Sequence, residues 1–180
     1  TDLDNTAAND ITANTINLAS GLGIGVAGVN GSLEVSAATA QTVNASATTS
    51  GGIFLNNLAG AVNFNNIVTS GVGAIELRSV ANSTLTNVVA ANGRIDAFTA
   101  QTSGAATNVL SVVSSTDNDA NDIAIVAATG ELNITTVNAG STNGDVVLQA
   151  IAGGINDDGV NATRITADDL TLTAAGDVGN

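Results

Sequence analysis

Seven residue types are missing from this 180-residue chain: Pro, Cys, Met, Trp, Tyr, His and Lys. Each gap excludes something. Without Cys there is no disulfide framework, thiol nucleophile or thiolate metal site. Without His and Lys, the bases and cations that polysaccharide hydrolases and lyases rely on are largely gone. Three basic residues (Arg78, Arg94 and Arg164) face 16 acidic ones, for a formal charge of -13. Nothing here could neutralise a row of phosphates, so nucleic acid and anionic membrane surfaces are excluded as partners. No apolar run approaches the roughly 18 residues of a transmembrane helix, and no signal-peptide pattern is present, so no membrane insertion is expected. An initiating Met is also missing, which leads us to expect a processed product or a piece of something longer. The lack of Pro removes the residue that would interrupt a strand ladder.

What remains is a narrow alphabet. Apolar residues make up 44% of the chain, nearly all Ala, Val, Ile and Leu, and the aromatics are Phe54, Phe64 and Phe98. High aliphatic content with low charge density argues against disorder and for one domain with a real core.

The dominant signal is a repeat. A small or polar pair followed by aliphatic, any residue, aliphatic occurs as "GSLEV" at Leu33, "GGIFL" at Ile53, "GAIEL" at Ile75, "NDIAI" at Ile123, "GDVVL" at Val146 and "DDLTL" at Leu170. "GRIDA" at Ile95 is a weaker copy. Successive spacings are 20, 22, 20, 28, 23 and 24 residues. A second motif lies between these anchors, at Val43, Val68, Val89 and Val137. Period-2 alternation split by Gly, Asn, Asp and Ser means short strands, not helices. A unit of about 20 residues cannot bury its own apolar face, but stacked units can. The expected fold over residues 1–180 is therefore all-β: a parallel β-helix solenoid of about eight rungs, 20–24 residues each, stacked about 4.8 Å apart. The longest interval contains "SSTDNDAND", read as a loop at one corner. "ITANTINLAS" and "ITADDLTLTA" place Ile11 and Ile165 154 residues apart, seven intervals of 22, and so read as the same part of two rungs.

"DLTLTAAGDVGN", "GDVVLQAIAGGI" and "ITADDLTLTA" resemble the repeats of filamentous-haemagglutinin-type exoproteins, the large secreted bacterial adhesins that include two-partner-secretion and autotransporter passengers. The resemblance covers nearly the whole chain. It implies a right-handed β-helical shaft at the cell surface, extracellular and without catalysis, with any glycan or host-surface ligand bound outside this segment. The family's secretion domain and translocator are missing, so the chain is expected to be a mid-shaft segment. Joining Asn180 to Thr1 would separate Leu170 from Ile11 by 21 residues, one rung. That spacing suggests continuation in a tandem array, or a self-assembling subunit stacking head to tail.

Candidate chemistry is sparse. Asp117, Asp119 and Asp122 in "TDNDAND" alternate as oxygen ligands for Ca²⁺ would. Asp2, Asp4 and Asp10 form a looser copy. Neither matches an EF-hand, and Asp and Asn favour solvated turns in any case. The doublets Asp157/Asp158 and Asp168/Asp169 invite a glycosidase reading. Strand neighbours point to opposite faces, however, and no His assists, so a carbohydrate-active enzyme is disfavoured. An ice-binding ladder would need Thr-x-Thr on every rung, and "TLT" at 171–173 is the one copy at the anchor. With anchor positions one and three inward, Glu34, Phe54, Glu76, Asp96, Ala124, Val147 and Thr171 face out. So do Ser36, Asn56, Arg78, Phe98, Val126, Gln149 and Thr173. Arg78 should then pair with Glu76 and lie one rung from Phe98, giving an ion-pair and cation–π patch worth about 1 kcal/mol or less. Such a patch reads first as a neutralised surface and second as a ligand site. Phe54, Val126 and Val147 would instead suit a lateral contact.

Overall fold

A computed structural model describes residues 8–28, 30–162 and 164–179. The chain forms a parallel β-solenoid of about 7 turns with about 23 residues per turn, close to the expected eight rungs. The described residues contain no helix. The early turns hold β1 (Ile11–Thr12), β2 (Thr15–Ser20), β3 (Leu33–Ala47) and β4 (Ile53–Val72), the last of which runs along all three faces and pairs with the next turn on each, with a register shift between Thr69 and Val72. Each following turn divides into three short strands, one per face. These are β5 (Ile75–Ser79), β6 (Ser83–Leu85) and β7 (Val88–Asn92), then β8 (Ile95–Thr99), β9 (Thr107–Val109) and β10 (Val112–Ser114). Next come β11 (Ile123–Ala127), β12 (Leu132–Ile134) and β13 (Thr136–Asn138), then β14 (Val146–Ala150), β15 (Ile155–Asp157) and β16 (Arg164–Thr166). β17 (Leu170–Ala174) begins the last described turn on the first face.

Alternation decides which side chains enter the core. On the first face Ile53, Ile75, Ile95, Ile123, Val146 and Leu170 stack in one column, in the expected register. Leu55, Leu77, Ala97, Ile125, Leu148 and Leu172 form the column beside it. Phe64, Leu85, Val109 and Ile134 stack on the second face. Ile67, Val88, Val112, Val137 and Ile165 stack on the third. Burying each Val, Leu, Ile or Phe contributes about 1.5–3 kcal/mol, and neighbouring turns supply the cover that no turn has alone.

The register corrects several expectations. Leu33 pairs with Leu55, not Ile53; the anchor position of that turn is Ile24, bridged to Ile53. Gly25, at φ 67°, turns the chain out of the sheet immediately after Ile24. The chain closes there through Val26 N–Gly31 O at 2.6 Å and Ser32 N–Gly28 O at 3.1 Å. The spacing of 20 counted from Leu33 is therefore coincidental; Glu34 pairs with Asn56, not Phe54, and both are buried. Ile11 and Ile165 do not share a position. Ile165 stacks through Val137, Val112, Val88, Ile67 and Ala45 down to Leu18, whereas Ile11 pairs with Val35. The Val35 column ends at Ala174, four residues past Leu170, so the interval of 21 across Asn180 and Thr1 joins two different columns. In the second motif the inward residues are Ile67 and Val88, one before Val68 and Val89, while Val43 belongs to the Phe64 column. The extra length between Ile95 and Ile123 is shared by two corners, 100–106 and 115–122.

Two corner features constrain the stack. At the turn into the second face, the N-terminal half buries polar side chains: Gln41, Asn57, Ser79, Ser83, Thr99 and Thr107. Hydrogen bonds run from Gln41 Nε2 to Asn57 Oδ1, from Asn57 Nδ2 to Ser79 Oγ at 3.0 Å, and between the Thr99 and Thr107 hydroxyls at 2.6 Å, while the Ser83 hydroxyl donates to Ala81 O at 3.1 Å. Later turns put Ala127 and Ala150, and Leu132 and Ile155, in these columns. At the corner before the first face, backbones approach so closely that only Gly fits. A Cβ on Gly73 would stand 2.3 Å from the Gly51 carbonyl oxygen, and one on Gly93 would stand 2.2 Å from that of Gly73.

Candidate functional site

The densest chemistry lies on the outer surface of the first face. β4, β5, β8, β11, β14 and β17 present Phe54, Glu76, Asp96, Ala124, Val147 and Thr171 in one outward column. Asn56, Arg78, Phe98, Val126, Gln149 and Thr173 stand in the next. Of the residues expected to face out, Glu34, Ser36 and Asn56 are buried; the register puts Glu34 beside Asn56 in this second column, not beside Phe54.

Arg78 Nε meets Glu76 Oε1 at 2.7 Å, and its guanidinium carbon lies 5.9 Å from the centre of the Phe98 ring. The expected ion-pair and cation–π patch is present. A second pair was not anticipated: Arg94 grips Asp96 through both oxygens, Nε–Oδ2 at 2.6 Å and Nη2–Oδ1 at 2.7 Å. The hydrogen bonds and charge of Asp96 raise the Arg94 pKa above its ordinary value. The signal was available, since residues two apart in a strand share a face and "RID" carries opposite charges at that spacing. Together these groups line a recess of about 260 Å³ with Phe98 and Val126. Gly28 reaches it from one side, with its N 3.4 Å from Glu76 Oε2.

Several acidic residues elsewhere serve the backbone. Directly before the anchors Ile123, Val146 and Leu170, Asp122, Asp145 and Asp169 stack from turn to turn. Asp122 Oδ1 accepts the Asp145 N–H at 3.1 Å, and Asp145 Oδ1 accepts the Asp169 N–H at 3.2 Å. Asp10 does likewise for Glu34 N at 3.0 Å. The aspartates in "NDI", "GDV" and "DDL" were visible in the sequence, but not their role as ties between turns. The doublets are similarly divided: Asp168 N donates to Gly144 O, and Asp158 Oδ1 accepts the Val160 N–H at 2.9 Å.

Asp117 is held most tightly. Its Oδ1 accepts N–H groups from Asn143 (2.8 Å) and Gly144 (3.1 Å), and its Oδ2 those from Ser141 (3.0 Å) and Thr142 (3.1 Å). Such a run of backbone donors forms an anion-binding concavity, here filled by a carboxylate from the preceding turn. Asp119 is exposed, and Asp122 turns to Asp145, so the three candidate calcium ligands are not gathered. Among the described residues no group of three acidic side chains is placed to hold a metal ion. Asp2 and Asp4 lie outside the described residues.

The main-chain donors, that of Asn143 first, keep the Asp117 carboxyl below its ordinary pKa. A depressed folded-state pKa gives stabilisation that is complete above the unfolded value, near pH 4, and lost as pH falls through the folded value. Asp117→Asn is therefore expected to melt below the parent at pH 7, with the difference shrinking toward pH 2. Thermal melts across that range provide the check, and a gap independent of pH would refute the charge-based latch.

Outward asparagines supply one more repeated contact. Asn133 Nδ2 donates to Asn108 Oδ1 at 2.8 Å, and Asn156 Nδ2 to Asn133 Oδ1 at 3.0 Å, in one column of the second face. Asn17, Asn44 and Asn65 are linked in the same way. The signal was Asn flanked by aliphatics in "INL" at Asn17 and "LNI" at Asn133. No family model, curated protein or solved structure matches the chain.

Proposed function

We propose that the chain is a structural shaft segment of a secreted bacterial surface fibre. The observation that carries this reading is the continuous register from Ile53 to Leu170, in which every turn is hydrogen-bonded to the next over an aliphatic interior. Bending such a stack strains all three ladders at once, which suits a stiff spacer. The acidic surface keeps neighbouring rods apart. The bacterial surface setting rests on the resemblance of the repeats to filamentous-haemagglutinin-type exoproteins.

A second reading is a self-assembling extracellular filament, in which the stack continues between copies instead of along one chain. Leu170 and Leu172 continue the core columns yet are 46% and 38% exposed. A further turn stacked there, from the same chain or a second copy, would bury them. Cryo-electron microscopy of the native material tests both readings. Rods with a meridional repeat near 4.8 Å are expected, and compact isolated particles would overturn both. If copies stack through this end, Leu170→Asp with Leu172→Asp is expected to leave short particles in place of filaments of the purified chain.

A further inference from the structure

Two of the three cations in this chain and one of its three aromatic rings meet in the recess on the first face. The recess is balanced in charge. Each guanidinium is neutralised by a carboxylate two residues away on its own strand or at that strand's edge. What it offers is therefore not a field but a set of directional groups. Arg78 engages Glu76 through Nε, and its two Nη groups donate to no described residue. Among the described residues, Glu76 Oε2 receives only the 3.4 Å approach of Gly28 N. Phe98 and Val126 add an apolar surface beside them.

We propose that this recess binds a neutral saccharide unit. A sugar ring has an apolar C–H face and a rim of hydroxyls that both donate and accept. It can use guanidinium donors, carboxylate acceptors and an aromatic edge in one small space. Other ligand classes fit less well. An anion would approach a chain of net charge -13 with no uncompensated cation to receive it. A cation would have to displace arginines already paired. A purely apolar ligand would cover charged groups without satisfying them. The volume of about 260 Å³ lies just under the roughly 300–1,000 Å³ of pockets for drug-sized ligands, which points to a terminal or single ring. The site is open and its groups are partly solvated, so a Kd of about 1 mM is expected. This proposal does not depend on the shaft reading.

The test is a titration of the isotope-labelled chain with glucose, galactose, N-acetylglucosamine and maltose, followed by amide chemical shifts. Saturable shifts with at least one of them, confined to residues 76–78, 94–98 and 124–126, are expected. Phe98→Ala and Arg78→Ala should each weaken binding about tenfold, the equivalent of ~1.4 kcal/mol. Gln149→Ala, on the same face but outside the recess, should leave it unchanged. Unaltered melting of Phe98→Ala would separate lost contact from lost fold. The proposal is overturned if none of these sugars gives saturable shifts up to about 50 mM, where a millimolar site would be nearly full. It is equally overturned if only a charged sugar such as glucuronate binds, or if both substitutions leave the affinity unchanged.

Discussion

Phe64→Ala is expected to lower the stability of the solenoid by about 3–5 kcal/mol, and its melting temperature by roughly 6–20 °C. Phe64 is the largest fully buried side chain, and it stacks between Val43 and Leu85 on the second face. Most cores relax somewhat around a deletion. This one is held on both sides by parallel ladders, Val43 to Phe64 and Phe64 to Leu85, so the walls cannot close without breaking main-chain hydrogen bonds. Phe64→Leu should recover most of the loss, because it keeps most of the volume. Phe54 and Phe98 point outward from the first face, and alanine at either should cost about 1 kcal/mol or less. Urea unfolding of the three alanine variants gives the comparison. A loss at Phe64 as small as those at the outer rings would mean that the interior is not closed.

The second large effect should come from adding one carbon. Gly93→Ala puts a Cβ 2.2 Å from the Gly73 carbonyl oxygen, whereas real Cβ contacts essentially never fall under 3.0 Å. That oxygen belongs to the adjacent turn, and it cannot retreat without moving the neighbouring ladder bonds Gly73 N–Asn92 O and Ile75 N–Arg94 O. Overpacking typically costs about 1–3 kcal/mol, and a clash with backbone should reach or exceed the top of that range. Gly21 is the control. It has open space around its missing Cβ and no positive φ, so Gly21→Ala should be neutral or stabilising by up to about 1 kcal/mol. Equal melting temperatures for the two variants would contradict the close approach of turns at this corner.

The first face was legible from Ile53 onward because each anchor combines three independent signals: a small or acidic pair, alternation, and a roughly constant interval. The same reading failed at Leu33, where Gly25 diverts the chain at a point that no periodicity marks. Ile11 and Ile165 misled for a different reason. Their local words match, but columns are fixed by every intervening corner, and corner lengths vary. The Arg78 patch followed from alternation alone, and the same rule applied to "RID" would have given the Arg94–Asp96 pair. The Asp117 cradle was out of reach, because it joins loops of two turns separated by 24 to 27 residues and no repeat unit contains both. The buried polar corner was hidden too, since Asn, Ser and Thr near a turn look like solvated residues until a neighbouring turn covers them.

That polar corner makes the two halves of the rod unequal in a way their shared outline conceals. Where Gln41, Asn57 and Ser79 bond from turn to turn, a turn displaced by one rung would strand an amide or hydroxyl away from its partner, at about 1–3 kcal/mol for each orphaned group. From Ala127 to Ala150, and from Leu132 to Ile155, adjacent rungs present nearly interchangeable aliphatics, and a displaced turn meets almost the same wall. At this corner the N-terminal turns thus carry an address that the later ones lack, although the Asp117 cradle still marks one joint between later turns. Duplication or loss of a whole rung should be tolerated far better after Ala127 than before Thr99, so growth and shrinkage of the rod by unequal exchange would be confined to one end.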